Sequence, residues 1–360
     1  MHDSTIFLFH SHERQPQRTV IMDKTALVTG AAGFVGQALV IRLLEQGFTV
    51  KALDLPHNTE FSKFVDSLPS SHRSNIIACP ADITDAESLK PIVAGVSYVF
   101  HTAALLNSVA PRSSFESVNV QGTKNICEAA AEASVERFIL VSTSDVFGIP
   151  EPSEVITEKT AYRSWGEPYA DTKIAACNIV KKFQKDGLLN TTIIYPGWVY
   201  GPGDRQFFPA IIDMIKEKHA FIWHKKKPYC VDLIFINDLI SAIVTAAESP
   251  AAIGEDYLIL DDNTEITPER FFSDIATQLS ITLKIHRLPY RLMYAVAWIS
   301  QHLKQQGIIK SLLLSTTDVK AFGNNFEFSN QKARSALQWA PSVSAKEGIK
   351  IALEWQQHNN

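Results

Sequence analysis

An alternation of short apolar runs with helical patterns constrains the fold of this chain more than any other feature. Six runs occur between Lys24 and Tyr195, at 26–28, 50–53, 75–78, 98–100, 138–141 and 192–195. Their hydrophobicity is continuous rather than alternating, which is typical of strands buried on both faces. Helical stretches such as 36–46 and 120–133 separate them. The pattern predicts an α/β fold with a doubly wound parallel sheet, the Rossmann architecture.

After Pro196 the pattern loosens into a different kind of structure. Proline and glycine cluster at 196–209, an apolar helix is expected at 207–215, and a strand followed by a helix at 231–247. We expect a smaller, irregular α+β substrate-binding domain near the strand ends, where ligands bind in open α/β sheets.

The domain organisation follows from these patterns and from the first residues of the chain. The N-terminal segment lacks the long apolar stretch of a signal peptide, so we interpret it as a disordered extension or as a segment upstream of a true start at Met22. The predicted division is an extension at 1–21, a Rossmann domain at 22–196 plus 230–250, and a substrate domain at 197–229 plus 251–360.

Composition excludes several classes of function. The formal charge of −4 gives no sign of a nucleic-acid-binding protein. The four cysteines lie far apart in the sequence, with no paired spacing for zinc or redox chemistry. We therefore expect a reducing, cytoplasmic compartment and no metal.

The apolar segment at 289–314 allows three interpretations. Its uncharged stretch is shorter than the roughly 20 apolar residues that span a bilayer, and Arg291, Lys304 and Lys310 interrupt it. It is a core or dimer-facing helix, a helix lying on a membrane surface, or a lid over a hydrophobic substrate.

A glycine-rich motif, TGAAGFVG at 29–36, follows the first strand and opens the first helix. Gly30 permits a tight turn, Gly33 lets the backbone approach a pyrophosphate, and Gly36 allows the helix to pack closely on the sheet. Phosphates would then face the positive end of that helix, beside Phe34 and Val35. The position predicts a dinucleotide-binding turn.

Two aspartates follow the next two strands. Asp54 ends the second strand, where a carboxylate accepts hydrogen bonds from both ribose hydroxyls and disfavours a 2′-phosphate. This favours NAD over NADP, the alternative being an exposed loop aspartate. Asp82 and Ile83, after the third strand, could bind the adenine ring, or Asp82 could cap the helix from Ala86.

Tyr169 and Lys173 are the candidate catalytic residues. Residues four apart share a helix face, so the phenol and the ammonium would lie side by side. A free phenol has a pKa of about 10, and a neighbouring ammonium moves that pKa towards working pH, where general acid–base catalysis is efficient. The position of this pair between the fifth and sixth strands is what makes it a catalytic candidate.

Further candidate residues end the fourth and fifth strands. The hydroxyls of Ser142, Thr143 and Ser144 could orient a substrate oxygen, or could satisfy only the local backbone. His101 could titrate usefully, but a hydrogen-bonded core histidine is favoured. The small residues that follow it, which leave room for a cofactor ribose, are Thr102, Ala103 and Ala104.

The ordered motifs resemble those of the extended short-chain dehydrogenase/reductase superfamily across nearly all the chain after Met22. They are TGAAGFVG, Asp54, HTAA, NVQGTKN, STSDVFG, YADTK and YPGWVYGPGD. The resemblance implies that Tyr169 exchanges the proton, that Lys173 lowers its pKa and holds the nicotinamide ribose, and that Thr143 orients the substrate. It also implies cofactor-side places for Asn119 and Pro196, and a homodimer.

Within the superfamily the chain is most similar to the 3β-hydroxysteroid and sterol dehydrogenase-like group. Many relatives carry arginine before Pro196, where this chain has Tyr195; we expect that position to serve strand packing or a local ion pair. A hydrophobic secondary alcohol or ketone is the expected substrate. The candidate pocket residues are Leu105, Phe147, Trp198, Phe207 and Phe208.

Three alternatives stay open at this point. A nucleotide-sugar epimerase or dehydratase shares the same core and would regenerate its NAD in each cycle. A non-catalytic NAD-binding module would have no need of Thr143, Tyr169 and Lys173 together. Oxidation followed by decarboxylation of a β-keto acid would need no further protein group.

Overall fold

The structure is a computed structural model that describes most of the chain after Asp23. The described residues are 24–106, 110–151, 154–223, 231–261, 263, 266–309, 316, 319 and 327–359. The prediction of an N-terminal extension at 1–21 and the end of the 289–314 segment lie outside them.

Thirteen strands occur in the described residues. They are β1 (Thr25–Thr29), β2 (Thr49–Asp54), β3 (Ile76–Pro80), β4 (Tyr98–His101), β5 (Arg137–Val141), β6 (Val155–Ile156), β7 (Thr191–Pro196), β8 (Trp198–Tyr200), β9 (His219–Trp223), β10 (Leu233–Phe235), β11 (Asp256–Ile259), β12 (Lys284–Leu288) and β13 (Glu327–Phe328).

The helices between them follow the expected periodicity. They are α1 (Phe34–Glu45), α2 (Thr59–Ser67), α3 (Ser70–Arg73), α4 (Ala86–Val93), α5 (Arg112–Phe115), α6 (Thr123–Glu132), α7 (Pro168–Lys185), α8 (Phe207–Lys216), α9 (Ile236–Glu248), α10 (Pro268–Gln278), α11 (Tyr290–Gln305), α12 (Gln331–Ala336) and α13 (Ala345–Asn359). A π-helical turn, Glu116–Gly122, joins α5 to α6, and a 3₁₀ turn, Ser144–Phe147, follows β5.

Seven strands form the main sheet, in the order β11-β7-β5-β4-β1-β2-β3. The ladders of β1 with β2 and β4, of β2 with β3 and of β4 with β5 are parallel. The chain returns from β3 to pair β4 against the other edge of β1, so the strand order reverses between β1 and β4. That reversal is where open α/β sheets bind ligands.

The α/β prediction is confirmed, because all six expected strands are present and belong to this sheet. The seventh strand, β11, was not predicted as part of it. The expected helix at 207–215 is α8, and the expected strand and helix at 231–247 are β10 and α9. Three two-stranded sheets, β8 with β10, β9 with β12 and β6 with β13, give the later part of the chain its mixed character.

The chain divides into two compact units. The first holds the residues up to Val141 together with Ala175–Ile193 and Ile253–Glu255. The second holds Ser142–Ile174, Ile194–Ala252 and the residues from Asp256 onward. The domain division expected above stays a prediction.

Each unit has its own core. In the first, β5 and all of β1 except Thr25 are buried, as expected for strands covered on both faces. In the second, Tyr200 packs edge-on against Phe235 and Phe271, with ring centroids 5.6 and 5.7 Å apart. Offset and edge-on ring pairs of this kind stabilise a core beyond their buried area.

Candidate active site

The glycine-rich turn after β1 has the shape that its sequence predicts. Gly30 has φ +68°, and a Cβ there would lie 2.8 Å from the backbone of Ala103. A Cβ at Gly36 would lie 2.0 Å from the Gly30 carbonyl oxygen. Both positions therefore require glycine, one for the turn and one for the approach of α1 to it.

The N-terminus of α1 is suited to an anion. Its N-cap is the exposed Gly33, which has no side chain to bond the free N–H groups. The first turn, all of which is described, carries no acidic side chain and includes the half-buried Phe34 and Val35. Free N–H groups and the positive end of the helix dipole fit a pyrophosphate, so these residues fit the phosphates of NAD.

Asp54 ends β2 and is 8% exposed, so the alternative of an exposed loop aspartate is wrong. One oxygen accepts from the Ala32 N–H at 2.8 Å. The other accepts from the Leu55 N–H and the Asn58 side-chain amide, each at 2.9 Å. The carboxylate is thus held against the glycine-rich turn, which suits it to a ribose hydroxyl.

Asp82 does not cap α4, so that alternative is wrong. Its carboxylate accepts from the Thr84 N–H at 2.9 Å, and the N-cap of α4 is Asp85. Asn125, which sequence reasoning missed, donates to the carbonyl oxygens of Ile83 and Thr84. Asn125 is the last residue of the motif NVQGTKN, and its side chain holds the segment that contains Ile83 and Thr84.

The histidine that ends β4 is structural. His101 is 1% exposed and lies between two hydroxyls, with Nδ1 2.7 Å from Thr29 Oγ1 and Nε2 3.0 Å from Thr123 Oγ1. The favoured interpretation, a hydrogen-bonded core histidine, is confirmed. Thr102 donates to the Thr29 carbonyl oxygen at 2.6 Å, which fixes the start of the segment.

The rest of that segment is held by Asn119. Its side-chain oxygen accepts from the Leu105 N–H at 2.7 Å, and its amide donates to the Leu105 carbonyl oxygen at 3.3 Å. Asn119 lies in the π-helical turn, an irregularity often associated with functional sites. Ala103, Ala104 and Leu105 are half-buried, which leaves part of their surface accessible to a ligand.

The second unit carries the catalytic candidates. Tyr169 and Lys173 both lie in α7, one turn apart, so they share a face. Tyr169 is half-buried, whereas Lys173 is 2% exposed. A buried ammonium beside a more accessible phenol is the arrangement that acid–base work by the phenol needs.

Thr143 lies between β5 and the 3₁₀ turn and is the N-cap of that turn. Its Oγ1 accepts from the Asp145 N–H at 3.2 Å. The alternative that these hydroxyls satisfy the local backbone therefore holds for one lone pair of Thr143. The Thr143 hydroxyl also lowers the pKa of the Asp145 carboxyl group, against the larger effect of burial, which raises it.

Ser144 bonds a residue that sequence reasoning missed. Its hydroxyl donates to Asp232 at 2.9 Å, from the turn after β5 to the residue before β10. Burial raises the pKa of Asp145 to about 6, and burial together with the charge of Asp145 raises the pKa of Asp232 to about 7. Asp145 thus lies beside Thr143 and Asp232 beside Ser144, and the pKa of each carboxyl group is raised.

The predicted pocket residues separate into two sets. Trp198 and Phe207 are half-buried and meet edge-on, with ring centroids 4.9 Å apart. Phe147 and Phe208 are fully buried. They pack on tyrosines of the core, Phe147 on Tyr195 and Phe208 on Tyr200, so the structure gives them core positions rather than an accessible surface.

Tyr195, beside the buried Pro196, serves strand packing as expected. Its hydroxyl donates to Asp256 at 3.0 Å and also contacts the hydroxyl of Tyr162. Lys332 bonds the other oxygen of Asp256 at 3.2 Å. The buried Tyr195 is thus part of a chain of polar groups that runs from Tyr162 through Asp256 to the partly exposed Lys332.

Comparison with known proteins agrees with this geometry. The chain is 27% identical over 346 residues to a 3-beta-hydroxysteroid dehydrogenase of Mycolicibacterium neoaurum, with 91% of this chain and 90% of that protein covered.

Two solved structures share the fold. The UDP-glucuronic acid 4-epimerase of Bacillus cereus, in complex with UDP-glucuronic acid and NAD, has a TM-score of 0.71 at 21% identity, with 93% of this chain and all of that one covered. The UDP-glucose 4-epimerase of Thermotoga maritima, with UDP-glucose, has a TM-score of 0.73 at 22% identity, with 93% and 99% covered.

Residues 26–259, well over half of the chain, match the family described as NAD dependent epimerase/dehydratase. That span includes the glycine-rich turn, Asp54, Thr143, Tyr169 and Lys173. The chain belongs to the NAD dependent epimerase/dehydratase family, and is an NAD-dependent enzyme that acts on CH–OH groups.

Proposed function

We propose that the chain is a dehydrogenase/reductase that interconverts a secondary alcohol and a ketone on a hydrophobic, 3β-hydroxysteroid- or sterol-like substrate. The observation that carries this proposal is the pair of Trp198 and Phe207, two partly accessible aromatic rings in the unit that holds Tyr169. Large flat rings of this kind bind rigid apolar skeletons well.

The chain's own residues would move the proton. In oxidation Tyr169 removes the hydroxyl proton of the substrate, Thr143 donates a hydrogen bond to the substrate oxygen, and Lys173 stabilises the phenolate. In reduction Tyr169 returns the proton to that oxygen. NAD, when bound, supplies the hydride acceptor or donor. Acid–base groups of this kind contribute about 10²–10⁴-fold to the rate.

A nucleotide-sugar epimerase is the second candidate, because the structural neighbours named above are epimerases with bound UDP-sugars. Identity of 21–22% to those chains supports the fold alone. The two activities differ in net chemistry, since an epimerase leaves its NAD unchanged after each turnover whereas a dehydrogenase releases NADH.

The experiment is a screen of hydroxysteroids, sterols, long-chain hydroxy acids and nucleotide sugars, followed by NADH absorbance and by product analysis. We expect NADH from a hydroxysteroid or sterol and none from UDP-sugars. Turnover of a UDP-sugar without net NADH would replace this proposal with the epimerase.

The assignment of Tyr169 is tested by Tyr169→Phe. We expect turnover to fall by about 10²-fold or more with NAD binding retained. Tyr98→Phe, at the start of β4 in the first unit, is the matched control and should leave turnover unchanged. Full activity of Tyr169→Phe would remove Tyr169 from its proposed role.

We also propose that α11 lies on an anionic membrane surface. Met293 and Ala297 are buried in a small cluster with Val319, whereas Leu292, Val296 and Ile299 form an exposed stripe on another face. The 43 residues 275–317 contain five lysines or arginines and no aspartate or glutamate. Exposed apolar side chains in an acid-free, cationic segment favour an anionic interface over a second protein surface.

No described helix is both long enough and apolar enough to cross a bilayer. The proposed contact is therefore tested as surface binding. Sedimentation with phosphatidylglycerol vesicles should pull down the protein, and phosphatidylcholine vesicles should do so weakly. The triple variant Leu292→Ser, Val296→Ser, Ile299→Ser should lose binding, whereas Leu188→Ser, equally exposed in the first unit, should keep it. Equal binding by the triple variant would exclude α11.

The homodimer expected from the resemblance is the last part of the proposal. Sedimentation velocity of the purified chain should give a single species of twice the 40.0 kDa chain mass, and a monomer at micromolar concentration would overturn it.

A further inference from the structure

The carboxylate of Asp204 holds the start of α8 by three hydrogen bonds. One of its oxygens accepts from the backbone N–H groups of Gln206 and Phe207 at 2.8 and 3.0 Å. The other oxygen accepts from the backbone N–H of Phe208 at 2.8 Å. N–H groups at the start of a helix have no partner within the helix, so the position of this carboxylate fixes the first turn of α8.

Asp204 is itself held at its backbone. Its N–H donates to the carbonyl oxygen of Gly201 at 3.2 Å. Its carbonyl oxygen accepts at 2.8 Å from the side-chain amide of Gln356, which lies in α13. Asp204 and Gln356 are 3% and 7% exposed. Every polar group of Asp204 is therefore bonded, and the residue is a fixed point from which α8 begins.

The first turn of α8 carries two phenylalanines with different surroundings. Phe208 is fully buried, whereas Phe207 is half-buried and meets Trp198 edge-on, with ring centroids 4.9 Å apart. Successive residues of a helix point about 100° apart. The rotation of this turn, which Asp204 fixes, therefore decides that Phe207 and not Phe208 lies against Trp198.

Trp198 is held by a different element. Its backbone N–H donates to the Asp232 carbonyl oxygen at 2.6 Å, and it pairs with Leu233 in the ladder of β8 and β10. The sheet thus holds one ring of the pair and Asp204 holds the other. Loss of the Asp204 bonds would loosen Phe207 and leave the backbone of Trp198 in place.

We propose that Asp204 is a positioning residue that sets substrate specificity, because its carboxylate keeps Phe207 against Trp198 as one preformed apolar surface for a rigid polycyclic alcohol or ketone. A preformed surface binds such a skeleton without the cost of ordering a side chain. The inference rests on the proposed function, in which these two rings contact the substrate. Asp204 takes no part in the proton transfer, which is assigned to Tyr169.

The change that tests this role is Asp204→Asn. The variant keeps the volume of the side chain, but its amide oxygen replaces only one of the two carboxylate oxygens, so an N–H of α8 loses its acceptor. We expect the KM of a hydroxysteroid to rise by about tenfold while kcat stays within about twofold of the wild-type value. Steady-state NADH formation measures both constants.

The matched control is Asp238→Asn. Asp238 is 2% exposed and makes the same set of bonds in the same unit. One oxygen accepts from the N–H and the hydroxyl of Ser342 at 3.0 and 2.6 Å, and the other from the Val343 N–H at 3.1 Å. Both variants should lower Tm, and only Asp204→Asn should raise KM. Equal changes of KM would show that Asp204 serves the fold alone.

A double-mutant cycle tests whether Asp204 acts through Phe207. Phe207→Ala should itself raise KM, and adding Asp204→Asn to it should change KM little, because the ring that Asp204 positions is gone. A full further rise in the double variant would overturn the inference. Should Asp204→Asn not fold, an unchanged KM in Phe207→Ala would overturn it without that variant.

The wild type separates this inference from the proposed function. No NADH from any hydroxysteroid or sterol would overturn the proposed function, and this inference with it. Wild-type turnover of a hydroxysteroid, together with a wild-type KM in Asp204→Asn, would overturn the inference alone.

Discussion

The carboxylate of Asp54 accepts a 2.8 Å hydrogen bond from the backbone N–H of Ala32, so the end of β2 is tied directly to the glycine-rich turn after β1. Its other oxygen holds Leu55 and Asn58. A carboxylate has about four acceptor sites, and three are in use. One ribose hydroxyl can therefore bind without change, and the second would have to displace the Asn58 amide.

Coenzyme choice should depend on the charge of Asp54. Asp54→Asn keeps the size and one acceptor oxygen but removes the charge that repels a 2′-phosphate. We expect the kcat/KM ratio of NAD to NADP to fall by about tenfold or more, since hydrogen bonds to charged groups contribute about 1.5–3 kcal/mol. Steady-state kinetics with both coenzymes measure this ratio.

The control for this change is Asp66→Asn, an exposed aspartate in α2. It alters the net charge by the same amount and should leave the ratio unchanged. An unchanged ratio in Asp54→Asn would mean that Asp54 serves the turn and not the ribose.

Replacing Gly36 should cost more stability than replacing Gly33. A Cβ at Gly36 would stand 2.0 Å from the Gly30 carbonyl oxygen, whereas at Gly33 the same atom would be 3.1 Å away. Overpacking of this kind costs about 1–3 kcal/mol. Thermal unfolding should show a clear fall in Tm for Gly36→Ala and a small one for Gly33→Ala.

For NAD binding we expect the opposite order, with the larger effect from replacing Gly33 and not Gly36. Gly33 is exposed at the start of α1, so a methyl group there meets the ligand rather than the fold. Gly33→Ala should weaken NAD binding at nearly normal stability. Equal losses of stability in Gly36→Ala and Gly33→Ala would contradict the assignment of Gly36 to the fold and of Gly33 to ligand binding.

The sequence predicted the sheet and the first half of the site well, because both depend on local patterns. Apolar runs and helical spacing determine which strands are buried on both faces, and the turn after β1 needs glycine at Gly30 and Gly36 for reasons of backbone shape. Asp54 was predictable from its place at the end of β2.

The parts that escaped prediction depend on contacts between residues far apart in the chain. Ser144 and Asp232 are 88 residues apart and meet only in the fold, so no spacing in the sequence signals the pair. Likewise β11 follows α9 in the chain but lies beside β7 in the sheet, a pairing between residues about 60 positions apart. Phe147 and Phe208 were predicted as pocket residues but lie in the core, because aromatic character alone does not distinguish a pocket wall from a core.

Stability should decrease with pH because of Asp145 and Asp232. Their folded pKa values, about 6 and about 7, lie above the unfolded value of about 3.9. The stability that they contribute is fully present below pH ~4 and is lost as pH rises through the folded values. At about 1.4 kcal/mol per pKa unit, the shifts correspond to losses of about 3 kcal/mol for Asp145 and about 4 kcal/mol for Asp232.

The measurement is urea unfolding at pH 5, 6, 7 and 8 for the wild type and for the double variant Asp145→Asn, Asp232→Asn. Other groups change both proteins alike, so the difference in unfolding free energy isolates the pair. We expect the wild type to lose stability relative to the variant as pH rises. A difference that is constant with pH would show that the two carboxyl groups have ordinary pKa values.

Tyr195→Phe should lower stability and leave catalysis intact. The Tyr195 hydroxyl donates to one carboxylate oxygen of Asp256 and contacts Tyr162, so its loss removes a donor from that oxygen, whereas Lys332 still donates to the other. Removing one partner of a buried hydrogen bond costs about 1–3 kcal/mol. Urea unfolding should show this loss, and Tyr294→Phe in α11 should show almost none.

The activity of Tyr195→Phe should be close to that of the wild type. Tyr195 packs in β7 and has no part in the proposed proton transfer, so kcat/KM should stay within about twofold of the wild-type value. Packing changes of this size leave a positioned acid–base pair unaltered. A large fall in kcat at normal stability would mean that the departure from the relatives' arginine changes the chemistry after all.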